Sequence, residues 1–131
     1  MKSDVESQNA ESQSAIQNEL KEAKKKGHSE ELLEKAGLIL KQESKIYDRF
    51  RGRVMFPIQN VAGKVIAFGA RTLRSDKKQP KYINSPETEV YHKSKILYGI
   101  HQSRQAIRNE DLCYLVEGYT DVISMHQAGV Q

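Results

Sequence analysis

The chain has 131 residues, a net charge of +4 and a mean hydropathy of −0.70, so it holds one domain, or one subdomain and part of a second. No apolar run approaches the ~20 residues that cross a bilayer, and the amino terminus lacks the charged-then-apolar pattern of a secretory signal. A lone cysteine, Cys113, excludes a disulfide framework and a cysteine-built zinc site, so the expectation is a soluble protein of the reducing cytoplasm with Cys113 as a small buried hydrophobe.

Charge is spread unevenly. Residues 1–44 carry 7 basic and 9 acidic side chains, residues 45–110 carry 14 and 5, and residues 111–131 carry none and 3. A basic middle beside an acidic end suits a polyanion-binding surface next to a cation site, although a solvated surface gives the same counts.

Residues 1–18 are rich in Ser, Gln, Asn and Glu, and their composition predicts a mobile tail, with helix beginning anywhere from about Glu11. Ala15, Ile16, Leu20 and Ala23 then share a helical face that ends at Lys24-Lys25-Lys26 and Gly27. The lysine triplet reads as a solvated helix end rather than a nucleic-acid contact. Ser29 is placed to cap a second helix with Glu30 and Glu31 in its first turn, Leu32, Leu33 and Ala36 facing inward, and Gly37 as its stop.

From Leu38 the pattern turns to β. Leu38–Leu40 and Ile46–Tyr47 read as short strands, and Arg53–Ile58 and Lys64–Leu73 as a hairpin closed by Gln59–Gly63. Val65–Phe68 is apolar throughout, as in a strand covered on both faces. Pro57 removes a ladder donor and so argues for an edge or a bulge, while Gly69 leaves room for close backbone approach. Ser75–Gln79 is a charged loop, Pro80–Asn84 a short extended piece, Ser85–Thr88 a turn, and Ile100–Arg108 a helix.

Leu112–Val116 has strand length and composition and ends at Glu117-Gly118. Val122, Ile123, Met125 and His126 follow at helical spacing, with Gly129 as a stop. A strand, a tight turn and a helix would put Glu117 at the carboxyl end of the strand, the edge where open α/β sheets bind ligands. Because the chain stops one helix later, it is expected to be a piece of a longer protein.

Several stretches are hard to explain as core. Tyr47–Ile58 contains Arg49, Arg51 and Arg53 at alternate positions, which in extended chain would point to one side. Phe68-Gly69-Ala70-Arg71, then Pro80–Thr88 with Lys81 and Asn84, then His92-Lys93, and finally Val116-Glu117-Gly118-Tyr119-Thr120-Asp121-Val122 complete the set. In this order and spacing they resemble the catalytic core of a bacterial replicative DNA primase, the DnaG type, over residues 20–131. The stretches depart from the family pattern at Ala70, where a second glycine is common, and at Thr120, where methionine is common; neither departure disturbs a charged position.

The resemblance implies an α/β (α+β) fold: a small mixed sheet with a hairpin and flanking helices over residues 19–110, then the first strand and helix of a toprim subdomain over 111–131. It implies RNA primer synthesis on a single-stranded DNA template, with ribonucleoside triphosphates as substrates and an RNA–DNA hybrid as product. It further implies that Glu117 is catalytic and a ligand for Mg2+ or Mn2+, whose remaining ligands, an Asp-x-Asp on a later strand, lie outside this chain. By the same resemblance Arg49, Arg51, Arg53 and Arg71 would line the template groove or grip triphosphate, Lys81 and Lys93 would meet phosphates, and Asn84 would contact nucleotide. The family's zinc domain and its helicase-binding region also lie outside this chain, no membrane is involved, and the piece alone is expected to be inactive. Asp121 reads either as a helix-start acid or as support for the site. Tyr82 and Tyr91 suit packing better than base stacking, and His92, with no acid–base partner evident, reads as structural. A non-enzymatic module binding single-stranded nucleic acid is the alternative, and another toprim enzyme, a topoisomerase or nuclease, leaves the Arg-Phe-Arg and Asn-Ser-Pro-Glu-Thr stretches unexplained.

Overall fold

Helix α1 runs Lys2–Lys25 and helix α2 Glu30–Lys35, in a computed structural model that describes residues 2–75 and 79–131, with side chains in α1 from Gln13 onward. Residues 2–18, expected from composition to be a mobile tail, lie within α1. The apolar spacing explains its anchored end: Ile16 and Leu20, four residues apart, fall on one face and are buried with Ile39. Ser29 caps α2 as expected, its hydroxyl accepting the Leu32 N–H at 3.2 Å. The inward face of α2 is narrower than expected, because Leu33 alone packs against the core while Leu32 and Ala36 are exposed. A six-residue helix has room for little more.

Strands β1 (Ile39–Gln42) and β2 (Lys45–Asp48) form an antiparallel pair with Ile39 opposite Asp48 and Gln42 opposite Lys45. The chain then turns, with Asp48 Oδ1 accepting the Phe50 N–H at 2.8 Å and Phe50 O accepting the Arg53 N–H at 3.2 Å. Gly52 takes a φ of 67° in this turn. Arg49 and Arg51 therefore sit in a turn, not in extended chain, and the alternation expected of Arg49, Arg51 and Arg53 does not apply; only Arg53 is in a strand. The local hydrogen bond from Asp48 offers the backbone an alternative to the ladder.

Strands β3 (Arg53–Gln59), β4 (Val65–Thr72) and β5 (Tyr82–Asn84) form a second sheet in the order β3-β4-β5. Pro57 thus lies in an edge strand, where a missing donor is tolerated. Asn60 builds the hairpin turn by accepting the N–H groups of Ala62 and Lys64 on its side-chain oxygen, each at 3.0 Å. β4 pairs antiparallel with β5, placing Gly69 opposite Asn84, Ala70 opposite Ile83 and Arg71 opposite Tyr82. Residues 76–78 of the expected charged loop lie outside the described residues.

A 3-10 turn, Lys93–Lys95, precedes helices α3 (Ile100–Glu110) and α4 (Tyr119–Gln127). Ile58, Ala67 and Tyr91 make the buried centre here, with Ile66, Ile96, Tyr98 and Tyr119 packed around them. The chain divides into two compact units, Met1–Arg53 and Val54–Gln131. No described helix is long and apolar enough to cross a membrane.

The strand expected over Leu112–Val116 is not formed. The segment belongs to no ladder, and Leu112, Tyr114 and Leu115 are exposed, as is Cys113, which is not the buried hydrophobe expected. Composition gave the segment its β character, but a strand exists only through its neighbours, and no described strand pairs with it.

Candidate nucleic-acid interface

The second unit gathers Arg71, Lys81, Asn84, Lys93 and Glu117, whereas Arg49, Arg51 and Arg53 belong to the first. Alternation along β4 puts Ala67, Gly69 and Arg71 on one face, so that one strand passes from core to site in two steps. Ala67 packs with Ile58 and Tyr91. Gly69 comes next, and its missing side chain is what the site requires: a Cβ there would lie 2.5 Å from the Tyr119 ring. Arg71 ends the row, with its guanidinium carbon 5.6 Å from the centre of the Tyr82 ring and its Nε buried without a hydrogen-bond partner. Tyr91 is core, as the packing reading expected, whereas Tyr82 is exposed and meets Arg71 as a cation–π partner.

Tyr119 joins the Glu-Gly-Tyr turn to this strand row. Its hydroxyl donates to Asn84 Oδ1 at 2.7 Å, across from Gly69 in the β4–β5 register. Its ring stacks on Phe56 at 5.2 Å between centroids and meets Tyr98 edge-on at 4.8 Å. Burial, followed by the nearby Tyr91 and Tyr98 hydroxyls, pushes the Tyr119 hydroxyl above its ordinary value, which keeps it a donor. A second glycine completes the seat of α4, since a Cβ on Gly99 would lie 2.8 Å from Val122 Cγ1. The sequence hinted at close approach to Gly69, but nothing in it named Tyr119 as the approaching group.

The turn itself is Glu117-Gly118, with α4 starting at Tyr119 rather than near Val122 as the apolar spacing suggested. Asp121 explains the early start: its carboxylate accepts the Gly118 N–H at 3.0 Å, and its own N–H donates to Gly118 O at 3.1 Å. This reciprocal cap favours the helix-start reading of Asp121. Glu117 is exposed and lines, with Lys93 and Tyr119, a cleft of about 620 Å3. Among the described residues no three His, Cys, Asp or Glu side chains group so as to hold a metal ion. With Asp121 committed to the cap, Glu117 is a single carboxylate, and the residues present do not by themselves fit a divalent ion.

Lys93 opens the 3-10 turn, and its N–H donates to Glu87 Oε1 at 2.9 Å, while Glu87 Oε2 lies 2.8 Å from His92 Nδ1. His92 therefore has the acid partner that the sequence did not reveal. The Lys93 N–H first, then the His92 ring, hold the Glu87 carboxyl below its ordinary value. Five residues separate the acid from the histidine, and no helical or strand period links them, so this contact left no periodic signal in the sequence.

The family described as DNA primase catalytic core, N-terminal domain, matches residues 9–104. The chain belongs to that family. It is 56% identical over 97 residues to the DNA primase of Halalkalibacterium halodurans, an overlap covering 72% of this chain and 16% of the relative. The chain thus spans about a sixth of the length of that curated primase. Among solved structures it is similar to the RNA polymerase domain of Mycobacterium tuberculosis primase DnaG, with a TM-score of 0.77, 43% identity, and coverage of 84% of this chain and 36% of that one. It is likewise similar to a DnaG primase catalytic domain bound to single-stranded DNA, with a TM-score of 0.70, 42% identity, and coverage of 82% and 34%. The primase-core family is also the one that the five sequence stretches resemble, and the mixed α+β architecture agrees with it.

Proposed function

We propose that this chain supplies template- and nucleotide-binding residues to a DNA-directed RNA polymerase that makes short RNA primers on single-stranded DNA. Arg71, Lys81, Asn84 and Lys93 bind phosphates or nucleotide in this reading, and Arg49, Arg51 and Arg53 add positive charge for the template. Glu117 is the carboxylate contributed toward a divalent ion, with the other ligands supplied from outside residues 1–131. Ribonucleoside triphosphates are the substrates, an RNA–DNA hybrid is the product, and a replicative helicase is met through another region.

The observation that carries this reading is the Tyr119–Asn84 hydrogen bond laid over Gly69. It ties the turn bearing Glu117 to the strand pair bearing Arg71 and Asn84, so an acid and a nucleotide-binding row belong to one packed unit. The similarity to a primase domain that binds single-stranded DNA supports the same reading.

Titration of this chain with a labelled oligothymidylate at several salt concentrations tests it. Each of Lys81→Ala and Lys93→Ala is expected to weaken binding and to reduce the slope of log affinity against log salt by about 0.7, one phosphate contact each. Unchanged affinity and slope in both would refute the assignment. In a longer primase core carrying this region, Glu117→Gln is expected to abolish primer synthesis while leaving DNA binding in place. Retained synthesis would remove Glu117 from the chemistry.

A further inference from the structure

Glu87, an exposed acid in the second unit, reaches across a loop to hold two groups at once, and one of them is the backbone of Lys93. The 3-10 turn that Lys93 opens has no cap of its own: His92, at the capping position, makes no side-chain hydrogen bond to the turn. The first N–H groups of any helical turn lack partners inside it. Glu87 fills that role from six residues away, taking the Lys93 N–H at 2.9 Å on one oxygen and lying 2.8 Å from His92 Nδ1 with the other. His92 O then accepts the Lys95 N–H at 2.9 Å, which closes the turn.

The other side of the loop is fixed independently. Thr88 Oγ1 accepts the N–H groups of Val90 and Tyr91 at 3.3 and 3.1 Å, Thr88 and Tyr91 exchange backbone hydrogen bonds, and the Tyr91 ring is buried in the core. Residues 88–91 would therefore keep their shape without the Glu87 carboxylate, whereas the step from Tyr91 to Lys93 would not. What the carboxylate adds is the direction in which the Lys93 backbone leaves the core.

We propose that Glu87 is a positioning residue: its carboxylate, clasping the His92 ring and the Lys93 N–H, aims Lys93 into the cleft it shares with Glu117 and so makes Lys93 a phosphate contact. The role rests on Lys93 meeting phosphate, as proposed above. It also inverts the ordinary expectation for an acid. Removing an uninvolved surface carboxylate raises the positive charge of the region and tightens binding to a polyanion. Removing a positioning carboxylate loosens it.

Oligothymidylate titrations of the 131-residue chain across a salt series distinguish the two. Glu87→Ala is expected to weaken binding and to lower the salt slope by about 0.7, the loss expected of Lys93→Ala, and the double variant is expected to go no further than either alone. Glu87→Gln retains an acceptor for the Lys93 N–H and is expected to restore the original slope. Glu87→Asp keeps the charge but withdraws the carboxylate by one methylene. It is expected to lose slope as Glu87→Ala does, and being conservative it guards against misfolding. Tighter or unchanged binding in Glu87→Ala, or an unaltered slope in Glu87→Asp, while Lys93→Ala weakens binding, would overturn the positioning role alone. A silent Lys93→Ala would instead refute the phosphate contact, and the positioning role with it.

Discussion

A single methyl group separates Gly69 from failure, because the Tyr119 ring occupies the place where a Cβ would stand. Gly69→Ala forces the ring or the strand to move, and overpacking of this kind costs about 1–3 kcal/mol. Denaturant melts should show that loss, with a lowered midpoint and an unchanged slope. Tyr119→Phe keeps the ring on Phe56 and Tyr98 but leaves Asn84 Oδ1 without its hydroxyl donor, a loss of about 0.5–1.5 kcal/mol. If the bond also orients Asn84 toward nucleotide, Tyr119→Phe raises KM for ribonucleotides in a longer primase core more than it lowers kcat. The sequence exposed one half of this contact. A glycine inside an apolar strand is a legible signal of close approach, but its partner lies fifty residues away and no local pattern points to it. Glu87 and His92 were opaque for a related reason: charged residues in a loop carry no periodicity, and their pairing depends on a turn whose shape only the folded chain supplies.

At the scale of elements, strands and caps were readable where a local cause determines them. Pro57 announced an edge or a bulge and lies in an edge strand, Ser29 announced the start of α2, and Asn60–Gly63 announced a hairpin, each through the bonding capacity of one residue. Ser29→Ala should lower stability by about 1 kcal/mol, read from the thermal midpoint of the first unit. Elements whose existence depends on distant chain were less legible. Residues 2–18 lacked the apolar content that a core demands, yet they continue a helix that Ile16 and Leu20 anchor. Leu112–Val116 had every compositional mark of a strand and stands without a ladder. Its amides are expected to exchange with solvent as fast as an open chain, while those of Ala67–Ala70 in β4 are protected; slow exchange at 112–116 would show that the segment finds a partner in solution.

For the molecule as a whole, the two ends of the pH scale act on different groups. Glu30, held by Lys24, and Glu87, held by the Lys93 N–H and His92, both sit below the ordinary carboxyl value of 4.5. Each therefore contributes stability that is complete above 4.5 and is lost as pH falls through its lowered native value. Burial raises Tyr91, Tyr98 and Tyr119 above 10.0, so their contribution is complete below 10.0 and is lost as pH rises through the raised values. All three tyrosines lie in the second unit, and alkaline titration followed by amide spectra is expected to release α4 and β4 before it disturbs the pairing of β1 with β2. Simultaneous loss in both units would contradict that order.

The stack of Phe56, Tyr98 and Tyr119 also gives the protein an optical signature of its own. The chain contains 6 tyrosines and no tryptophan, so no indole signal covers the near-ultraviolet dichroism of the tyrosines, among which Tyr119 has ring neighbours about 5 Å away. Loosening of the Glu117 turn from the sheet would pull Tyr119 out of that stack and change the spectrum without any label. The residue that seats the acid thereby reports, in real time and in the unmodified protein, whether the acid is seated.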